Sequence, residues 1–318
     1  MKVLTFGEAL FRLSTARGER FPQADLMDFF LGGTELNIAA NLKSLGVETE
    51  WISCLPGGKT GELMRERIVS LGIDISHVPT IANGRPGWYL METGAAPRPD
   101  VVLGRFASSL ADQNSFPFDW KKILSGTQLF HTSGVSTGLS EPMTLEVKKA
   151  METARSIKIP VSYDFNYRKH LWTAEESVRR QKDLFPFINI LFCSMTDLEL
   201  FFGKDVQLKN VFEKYPLELI ILTERNADET TYGVRVVTKS SAHTSVQHRI
   251  HLIDRIGIGD SMAAGFIASW LMDKDIAKAA EFGAIAGAMK YGIKGDMALL
   301  RPNEIESVLT QGYRGISR

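Results

Sequence analysis

The chain alternates short apolar runs with longer helical patterns, and this alternation restricts the possible folds more than any other feature. Apolar runs of strand length occupy residues 3–6, 50–55, 128–132, 160–164, 188–193 and 217–222. Helical patterns occupy residues 35–45, 61–71, 141–156, 174–184 and 196–202, and then 261–272, 276–291 and 302–309. Such a chain is expected to form an α/β fold, in which helices cover both faces of a mostly parallel sheet.

The size and charge of the chain favour one globular domain with a small-molecule ligand. It has 318 residues, of which 44% are hydrophobic, and this suffices for one large core. Lys and Arg together number 37, as do Asp and Glu, and no long block of one sign occurs. We therefore expect neither a nucleic-acid partner nor an anionic membrane surface.

The start of the chain and the cysteine content bear on its location. The first residues, MKVLTFGEALFRLS, read as a buried strand without the cleavage signal of an exported protein. No run approaches the roughly 18 apolar residues of a membrane helix. Cys54 and Cys193 are far apart in sequence, which argues against a disulfide scaffold or a thiolate zinc site. These features predict a cytoplasmic protein.

The segment HLIDRIGIGDSMAAGFIASWLM, residues 251–272, carries the strongest functional signal. We predict that an apolar strand leads into Gly257 and that a helix begins just after Gly259. Glycines let the backbone approach an anion, and free amides at a helix start attract it. At this anion hole, the carboxylate of Asp260 can accept a proton from a hydroxyl group. The alternative is that Asp260 only caps the helix.

A second glycine-rich segment, LGGTELNIAANLKSLG, covers residues 31–46. Gly33 precedes a predicted helix whose first turns carry Glu35 and Asn37, polar side chains that can read sugar hydroxyl groups. The segment can equally be an ordinary strand-to-helix turn that Thr34 caps.

Two further stretches, near residues 8–32 and 84–110, interrupt the alternation, and the second contains TGAAPRPDVVLGRF. We expect them to form a small lid over the carboxyl edge of the sheet.

These two glycine segments, with DFNYRKHLW at residues 164–172, resemble the ribokinase-type (PfkB) family of sugar kinases. Within that family the chain is most similar to the 2-keto-3-deoxygluconate kinases. The resemblance covers nearly the whole chain, including YGIKGDMALL near its end. It implies a single ribokinase-like domain over residues 1–318, a three-layer sandwich with a small β lid. It also implies phosphorylation of 2-keto-3-deoxygluconate to its 6-phosphate, with ATP and Mg²⁺, and it leaves open a monovalent cation.

The resemblance also implies a role for each residue that matches a family motif. Asp260 is the implied base, and its amide forms the anion hole with those of Gly257, Ile258 and Gly259. The implied sugar-binding residues are Gly33, Glu35, Asn37, Tyr89, Arg105, Asn166, Arg168 and Asp296. Arg168 is expected to meet the substrate carboxylate, a task that suits a bidentate guanidinium group. The implied nucleotide contacts are Ser194, Thr223, Arg225, Asn226, Gly257 and Gly259.

The chain departs from the family pattern at three places. Ser194 and Asp197 stand where the family usually has Asn-x-x-Glu, so that Asp197 is expected to orient only metal-bound water. Ile258 replaces a small residue, and it contributes only its amide if its side chain points away. The stretch LTERNADETTYG replaces the usual glycine-containing turn beside the nucleotide.

Two alternatives remain open. The first is a kinase for another substrate, such as 2-keto-3-deoxygalactonate, fructose or a ribose-like sugar. The second is a non-catalytic sugar or nucleotide sensor. The departures from the family's metal and nucleotide motifs motivate this alternative. The expected partners are a small sugar acid and ATP, and the lid leaves open a homodimer or a higher homo-oligomer.

Overall fold

The computed structural model describes residues 1–93, 101–105, 107–226, 228 and 230–312. The strands are β1 (Lys2–Phe6), β2 (Leu10–Ser14), β3 (Asp28–Gly32), β4 (Glu48–Ile52), β5 (Leu55–Pro56), β6 (Thr80–Ile81), β7 (Gly87–Met91), β8 (Val101–Gly104), β9 (Leu129–Ser133), β10 (Val161–Asp164), β11 (Ile190–Cys193), β12 (Leu219–Arg225), β13 (Thr231–Val237), β14 (Ala242–Thr244) and β15 (His248–Arg249). The helices are α1 (Thr34–Ser44), α2 (Gly58–Ser70), α3 (Trp120–Ile123), α4 (Gly134–Thr137), α5 (Glu141–Ser156), α6 (Ala174–Gln181), α7 (Met195–Phe202), α8 (Leu208–Lys214), α9 (Ile258–Asp273), α10 (Ile276–Lys290) and α11 (Pro302–Gln311).

The main sheet has the order β14-β13-β12-β11-β10-β9-β1-β4, with β15 paired to β13. From β12 to β4 every neighbouring pair is parallel, and the β12–β13 hairpin adds an antiparallel edge. The carboxyl ends of the parallel strands therefore meet at one edge, where ligands of open α/β sheets bind. The predicted α/β sandwich with a mostly parallel sheet is confirmed.

Alternate residues of the central strands point to opposite faces of the sheet, and each face has its own core. Val3, Leu219 and Ile221 pack with α1, α9 and α10 on one side. Leu4 and Ile220 pack with α5 on the other side. Strands that are buried on both faces read as continuous apolar runs, which is why the sequence pattern located them.

A separate sheet of four described strands has the order β3-β2-β7-β8. All four strands fall within the two stretches that interrupt the alternation, so the small sheet forms where we expected it. Residues 94–100 and 106, which belong to the predicted lid, lie outside the described residues.

The approach to the anion-hole turn differs from our expectation. We predicted a strand before Gly257, but β15 ends at Arg249 and no strand occupies residues 250–256. The amides of Ile253 and Asp254 instead donate to the carbonyl oxygen of Tyr291, at 2.8 and 3.2 Å. The apolar side chains of Ile250 and Leu252 pack against the core that contains α9 and α10, and the prediction of a strand was wrong.

Two further observations concern the chain as a whole. Within the part of the chain that the structure describes, no helix combines the length and the apolar character needed to cross a membrane. Cys54 and Cys193 are both buried and unbridged.

Candidate active site

Polar residues line the edge at which the parallel strands end. Glu8 follows β1, Ser133 ends β9, Asp164 ends β10 and Ser194 follows β11. Parallel strands place these positions side by side, although they are far apart in sequence. This edge is the candidate active site.

The turn before α9 presents free backbone amides to this edge. Gly257 caps the helix with φ of 79°, in the left-handed region that favours glycine. A Cβ atom on Gly257 would lie 1.8 Å from the carbonyl oxygen of Asp296, so a side chain has no room there. A Cβ atom on Gly259 would meet nothing within 4 Å, so the first turn faces open space. These amides, with the positive end of the helix dipole, suit a phosphate group.

The side chain of Ile258 does not enter this space. It is 3% exposed and belongs to the core between the sheet and α9. Only its backbone is available at the turn. Ile258 can therefore replace a small residue here, because its side chain does not fill the space at the turn.

Asp260 is the third residue of α9 and lies beside the open turn. Its Oδ2 atom accepts a 2.7 Å hydrogen bond from Nδ2 of Asn37. Burial raises the pKa of Asp260 to about 6, although Asn37, Arg168 and Lys290 favour the ionised form. The Oδ1 atom of Asn37 is buried and has no hydrogen-bond partner among the described residues. The carboxylate is therefore ionised at neutral pH and poised to accept a proton.

Asp296 meets the second glycine segment. A Cβ atom on Gly32 would lie 2.2 Å from Oδ1 of Asp296, so the backbone of the glycine pair passes directly over this carboxylate. The hydroxyl group of Tyr89, from the small sheet, donates to the same Oδ1 atom at 2.5 Å. Burial raises the pKa of Asp296. Gly33, with φ of 138°, caps α1 and packs on the carbonyl oxygen of Glu8. Tyr89, Asp296 and the glycine pair thus form one cluster.

Glu35 points beneath the cleft. Its Oε1 atom accepts hydrogen bonds from the hydroxyl groups of Ser133 at 2.6 Å and Ser136 at 2.7 Å. Burial raises the pKa of Glu35 to about 7. The carboxyl group ties α1 to the end of β9, and its other oxygen lies against Gly7. Its predicted contact with a sugar stays a prediction.

Arg105 is buried in an ion pair. Its Nε and Nη2 atoms both contact Oε2 of Glu8, at 2.9 and 2.5 Å. Ser108 also donates to Glu8. The pair joins the end of β8 to the segment that leaves β1, so Arg105 holds the small sheet against the main sheet.

Arg168 is exposed and follows β10 by four residues. Its charge lowers the pKa of both Asp260 and Asp164, so the guanidinium group lies within electrostatic reach of both carboxylates. The backbone of Asn166 has φ of 40°, and its Nδ2 atom is 3.4 Å from Oδ2 of Asp164. The tight turn of DFNYR therefore brings Arg168 back toward the cleft.

Asp164 is an acidic residue of the site to which our sequence reasoning gave no role. Burial raises its pKa well above the usual value, and the charges of Asp260 and Asp197 add to this rise. Its place at the end of a buried strand was a usable signal. Among the residues that the structure describes, no three His, Cys, Asp or Glu side chains form a ready metal cage.

The predicted nucleotide and metal residues lie on the neighbouring strand ends. Ser194 and Asp197 form a capping box at the start of α7, with the Ser194 hydroxyl 2.7 Å from Oδ2 of Asp197. Thr223 and Arg225 are among the last three residues of β12. The Asn226 side chain accepts from the amides of Thr230 and Thr231, which closes the β12–β13 hairpin. Ala227 and Glu229 lie outside the described residues.

A buried charge network lies behind the anion hole, and sequence reasoning missed all but one of its members. Arg12 is fully buried and its Nη2 atom contacts Oδ2 of Asp254 at 2.7 Å. Its Nη1 atom contacts Oδ2 of Asp296 at 3.1 Å. Lys290, the last residue of α10, is also fully buried. Arg12 sits in an apolar strand pattern, and an arginine at such a position was the available signal.

Comparisons with known proteins identify the family of the chain. Residues 1–301 match the model of the pfkB family carbohydrate kinase. A crystal structure of a PfkB family carbohydrate kinase from Listeria grayi has a TM-score of 0.92 and 29% identity, covering 96% of this chain and 98% of that one.

Two relatives carry more specific names. A crystal structure of 2-dehydro-3-deoxygluconokinase from Thermotoga maritima has a TM-score of 0.90 and 33% identity, covering 96% of this chain and 97% of that one. A 2-dehydro-3-deoxygalactonokinase from Haloferax volcanii is 28% identical, with 100% of this chain and 99% of the relative aligned.

Proposed function

The chain belongs to the pfkB family of carbohydrate kinases, and from this premise we propose that it transfers the γ-phosphoryl group of ATP to the 6-hydroxyl of 2-keto-3-deoxygluconate. This substrate is the 2-dehydro-3-deoxygluconate named for the Thermotoga maritima relative. The observation that carries the proposal is the ionised carboxylate of Asp260, held by Asn37 beside the open first turn of α9.

The chemistry follows from this arrangement. The oxygen of the sugar hydroxyl attacks the γ-phosphorus as its proton passes to Asp260, through Oδ1 because Oδ2 is held by Asn37. The bond between the γ-phosphorus and the β–γ bridging oxygen breaks, and ADP leaves. The free amides at the start of α9 stabilise the charge that builds up on the transferred group.

An acid substrate would account for the exposed positive charge of Arg168 near the site. Arg168 is an exposed cation within electrostatic reach of the base, and a guanidinium group can hold a carboxylate in two hydrogen bonds. The Tyr89 hydroxyl donates its hydrogen to Oδ1 of Asp296, so its oxygen can accept a hydrogen bond from a substrate hydroxyl group, and the carboxylate of Asp296 is a second acceptor. Tyr89 belongs to the small sheet and contacts Asp296 of the site. Closure of that sheet over a bound substrate would therefore exclude water from the reaction.

Mg²⁺ is expected to arrive with ATP, and the residues present fit it. The charges of Asp260 and Asp197 both disfavour the ionised form of Asp164, and a divalent cation would relieve that repulsion. Mg²⁺ typically binds through one or two carboxylates, several waters and the substrate phosphates rather than in a protein cage. Asp164 would hold it directly and Asp197 through water. When bound there, the cation would neutralise charge on the phosphates.

A panel of substrates tests the proposal. The protein is given ATP and, in turn, 2-keto-3-deoxygluconate, 2-keto-3-deoxygalactonate, fructose and ribose, and ADP release is measured. We expect the first acid to have the highest kcat/KM. Arg168→Ala should lower kcat/KM for the acids by roughly 10²-fold, the loss expected when one ion pair is removed. The kcat/KM for neutral sugars should stay almost unchanged. Arg179→Ala, at an exposed position of α6, is the matched control. Equal losses for acids and neutral sugars would contradict the assignment.

The named relatives favour two acid substrates. The Haloferax volcanii relative is named for the galactonate compound, so preference for that epimer is the second candidate, and the ratio of the two kcat/KM values decides between them. Calorimetry beside the ADP assay tests the sensor alternative, in which the ligands bind tightly and no ADP forms.

A further inference from the structure

Lys290 is a charged side chain that the proposed reaction does not use. It ends α10 and is fully buried. Its Nζ atom donates a 2.7 Å hydrogen bond to the carbonyl oxygen of Ile293. Burial lowers the pKa of Lys290, while the charges of Asp254, Asp296 and Asp260 oppose that effect. A lysine is almost never fully buried unless it is paired, so this side chain needs an explanation.

The carboxylate of Asp254 ties together the two segments that meet at the anion hole. Its Oδ1 atom accepts from the amide of Ile256 at 3.0 Å, just before Gly257. Its Oδ2 atom accepts from the amide of Gly295 at 2.9 Å, just before Asp296. Gly257 in turn packs on the carbonyl oxygen of Asp296. The shape of the anion-hole turn therefore depends on a buried negative charge.

One arginine does not balance the charges in this region. Three buried carboxylates, Asp254, Asp260 and Asp296, lie behind and beside the turn, and Arg12 pairs with two of them. Among these buried groups, three negative charges and one positive charge leave a net charge of minus two, while the exposed Arg168 acts only on Asp260 among these three carboxylates. Lys290 supplies the second cation, because its ammonium group interacts with all three carboxylates. Buried charges are costly without such compensation.

We propose that Lys290 is a built-in cation of the kinase: its ammonium group balances Asp254 and Asp296 and so holds the turn at Gly257 in the shape that presents the α9 amides to the substrate. Lys290 is then a positioning residue, not a catalytic one. A monovalent metal ion is not needed at this place, although the sequence left one open as a cofactor. The inference rests on the proposed function, which assigns the turn to phosphoryl transfer.

Removal of the ammonium group tests the proposal. Wild-type protein is assayed in buffers whose monovalent cation is potassium, sodium or tetramethylammonium, and we expect equal kcat in all three. Lys290→Ala leaves a cavity beside the carboxylates, and its kcat should fall roughly 10- to 100-fold through misplacement of the turn. Ammonium or methylammonium should restore much of that loss. Lys290→Met fills the cavity without a charge, so it should lose activity and not recover.

The matched control is Lys278→Ala, a change at an exposed lysine of the same helix that pairs with Asp273. It should keep wild-type kcat and gain nothing from ammonium. If wild-type protein requires potassium, or if Lys290→Ala keeps wild-type kcat, the proposal is wrong. Failure of ammonium and methylammonium to restore folded Lys290→Ala would also overturn it.

Thermal unfolding keeps the test independent of turnover. Ammonium should raise the Tm of Lys290→Ala and leave that of Lys278→Ala unchanged, whichever substrate the enzyme uses. If no substrate is phosphorylated but this Tm response is present, the proposed function fails and the built-in cation stands. If Lys290→Ala does not fold at any salt composition, the potassium dependence of wild-type protein decides alone.

Discussion

The Nδ2 atom of Asn37 donates a 2.7 Å hydrogen bond to Oδ2 of Asp260, across a sequence separation of 223 residues. This bond joins the helix after the glycine pair to the helix after Gly257. The two glycine segments therefore build one site, in which α1 orients the carboxylate and α9 supplies the amides. One turn further along α1, Asn41 repeats the connection by donating to the hydroxyl of Ser261 at 3.1 Å.

Replacement of Asn37 should change the protonation of the base. The hydrogen bond from Asn37 lowers the pKa of Asp260, so Asn37→Ala should move the acidic limb of the activity profile upward by about one pH unit. Asn41→Ala is the matched control, because it removes a neighbouring contact that does not touch Asp260. A similar shift in both variants, or none in Asn37→Ala, would contradict the assigned role.

The wild-type enzyme should lose activity in mild acid. The pKa of Asp260 is about 6, and only the ionised form can take a proton from the hydroxyl group. We expect kcat/KM for the sugar, at saturating MgATP, to be flat above pH 7 and to fall about tenfold per pH unit well below pH 6. A profile that stays flat down to pH 5 would rule out this carboxylate as the base.

The same raised pKa has a consequence for stability. Since the folded-state pKa of about 6 exceeds the ordinary value of 3.8, this group stabilises the fold below pH 3.8, and that contribution is lost as the pH rises through 6. Asp260→Asn should therefore increase the free energy of unfolding at pH 7.5 by about 1–3 kcal/mol. The gain should shrink toward pH 4. Urea unfolding at both pH values measures it, and equal or lower stability at pH 7.5 would be the opposite result.

The two glycines of the turn should respond differently to alanine. Gly257→Ala meets the carbonyl oxygen of Asp296 in a left-handed conformation, so both Tm and activity should fall. Gly259→Ala meets no atom within 4 Å, and its stability should be unchanged or raised by up to about 1 kcal/mol. Its methyl group would enter the space assigned to the transferred phosphate, and kcat/KM for ATP should fall about tenfold or more. A Gly259→Ala enzyme with normal kinetics would show that the phosphate lies elsewhere.

Much of the fold could be predicted because the sequence patterns are local. Buried parallel strands read as apolar runs, and α5 begins and ends where its helical pattern does. The glycines and Asp260 stood out because the turn and the helix start need those residue types in a short stretch. Asp260 and its amides are adjacent in sequence, so no tertiary information was required to group them.

The buried charge network could not be predicted in this way. Arg12 contacts Asp296 across 284 residues and Asp254 across 242 residues. The apolar strand pattern marks Arg12 as unusual, but no local pattern identifies its partners. The contacts of Glu35 with Ser133 and Ser136 were equally out of reach, because the sheet brings these residues together from distant parts of the sequence. Only the fold sets these contacts.

The most direct measurement is the turnover of Asp260→Asn with ATP and 2-keto-3-deoxygluconate. The amide keeps the shape of the side chain but cannot take a proton, so kcat should fall by about 10²- to 10⁴-fold, while the KM for ATP stays close to that of wild-type protein. Far-UV circular dichroism provides the check that the variant is folded. A folded Asp260→Asn enzyme that keeps wild-type kcat would contradict the central claim that this carboxylate is the base.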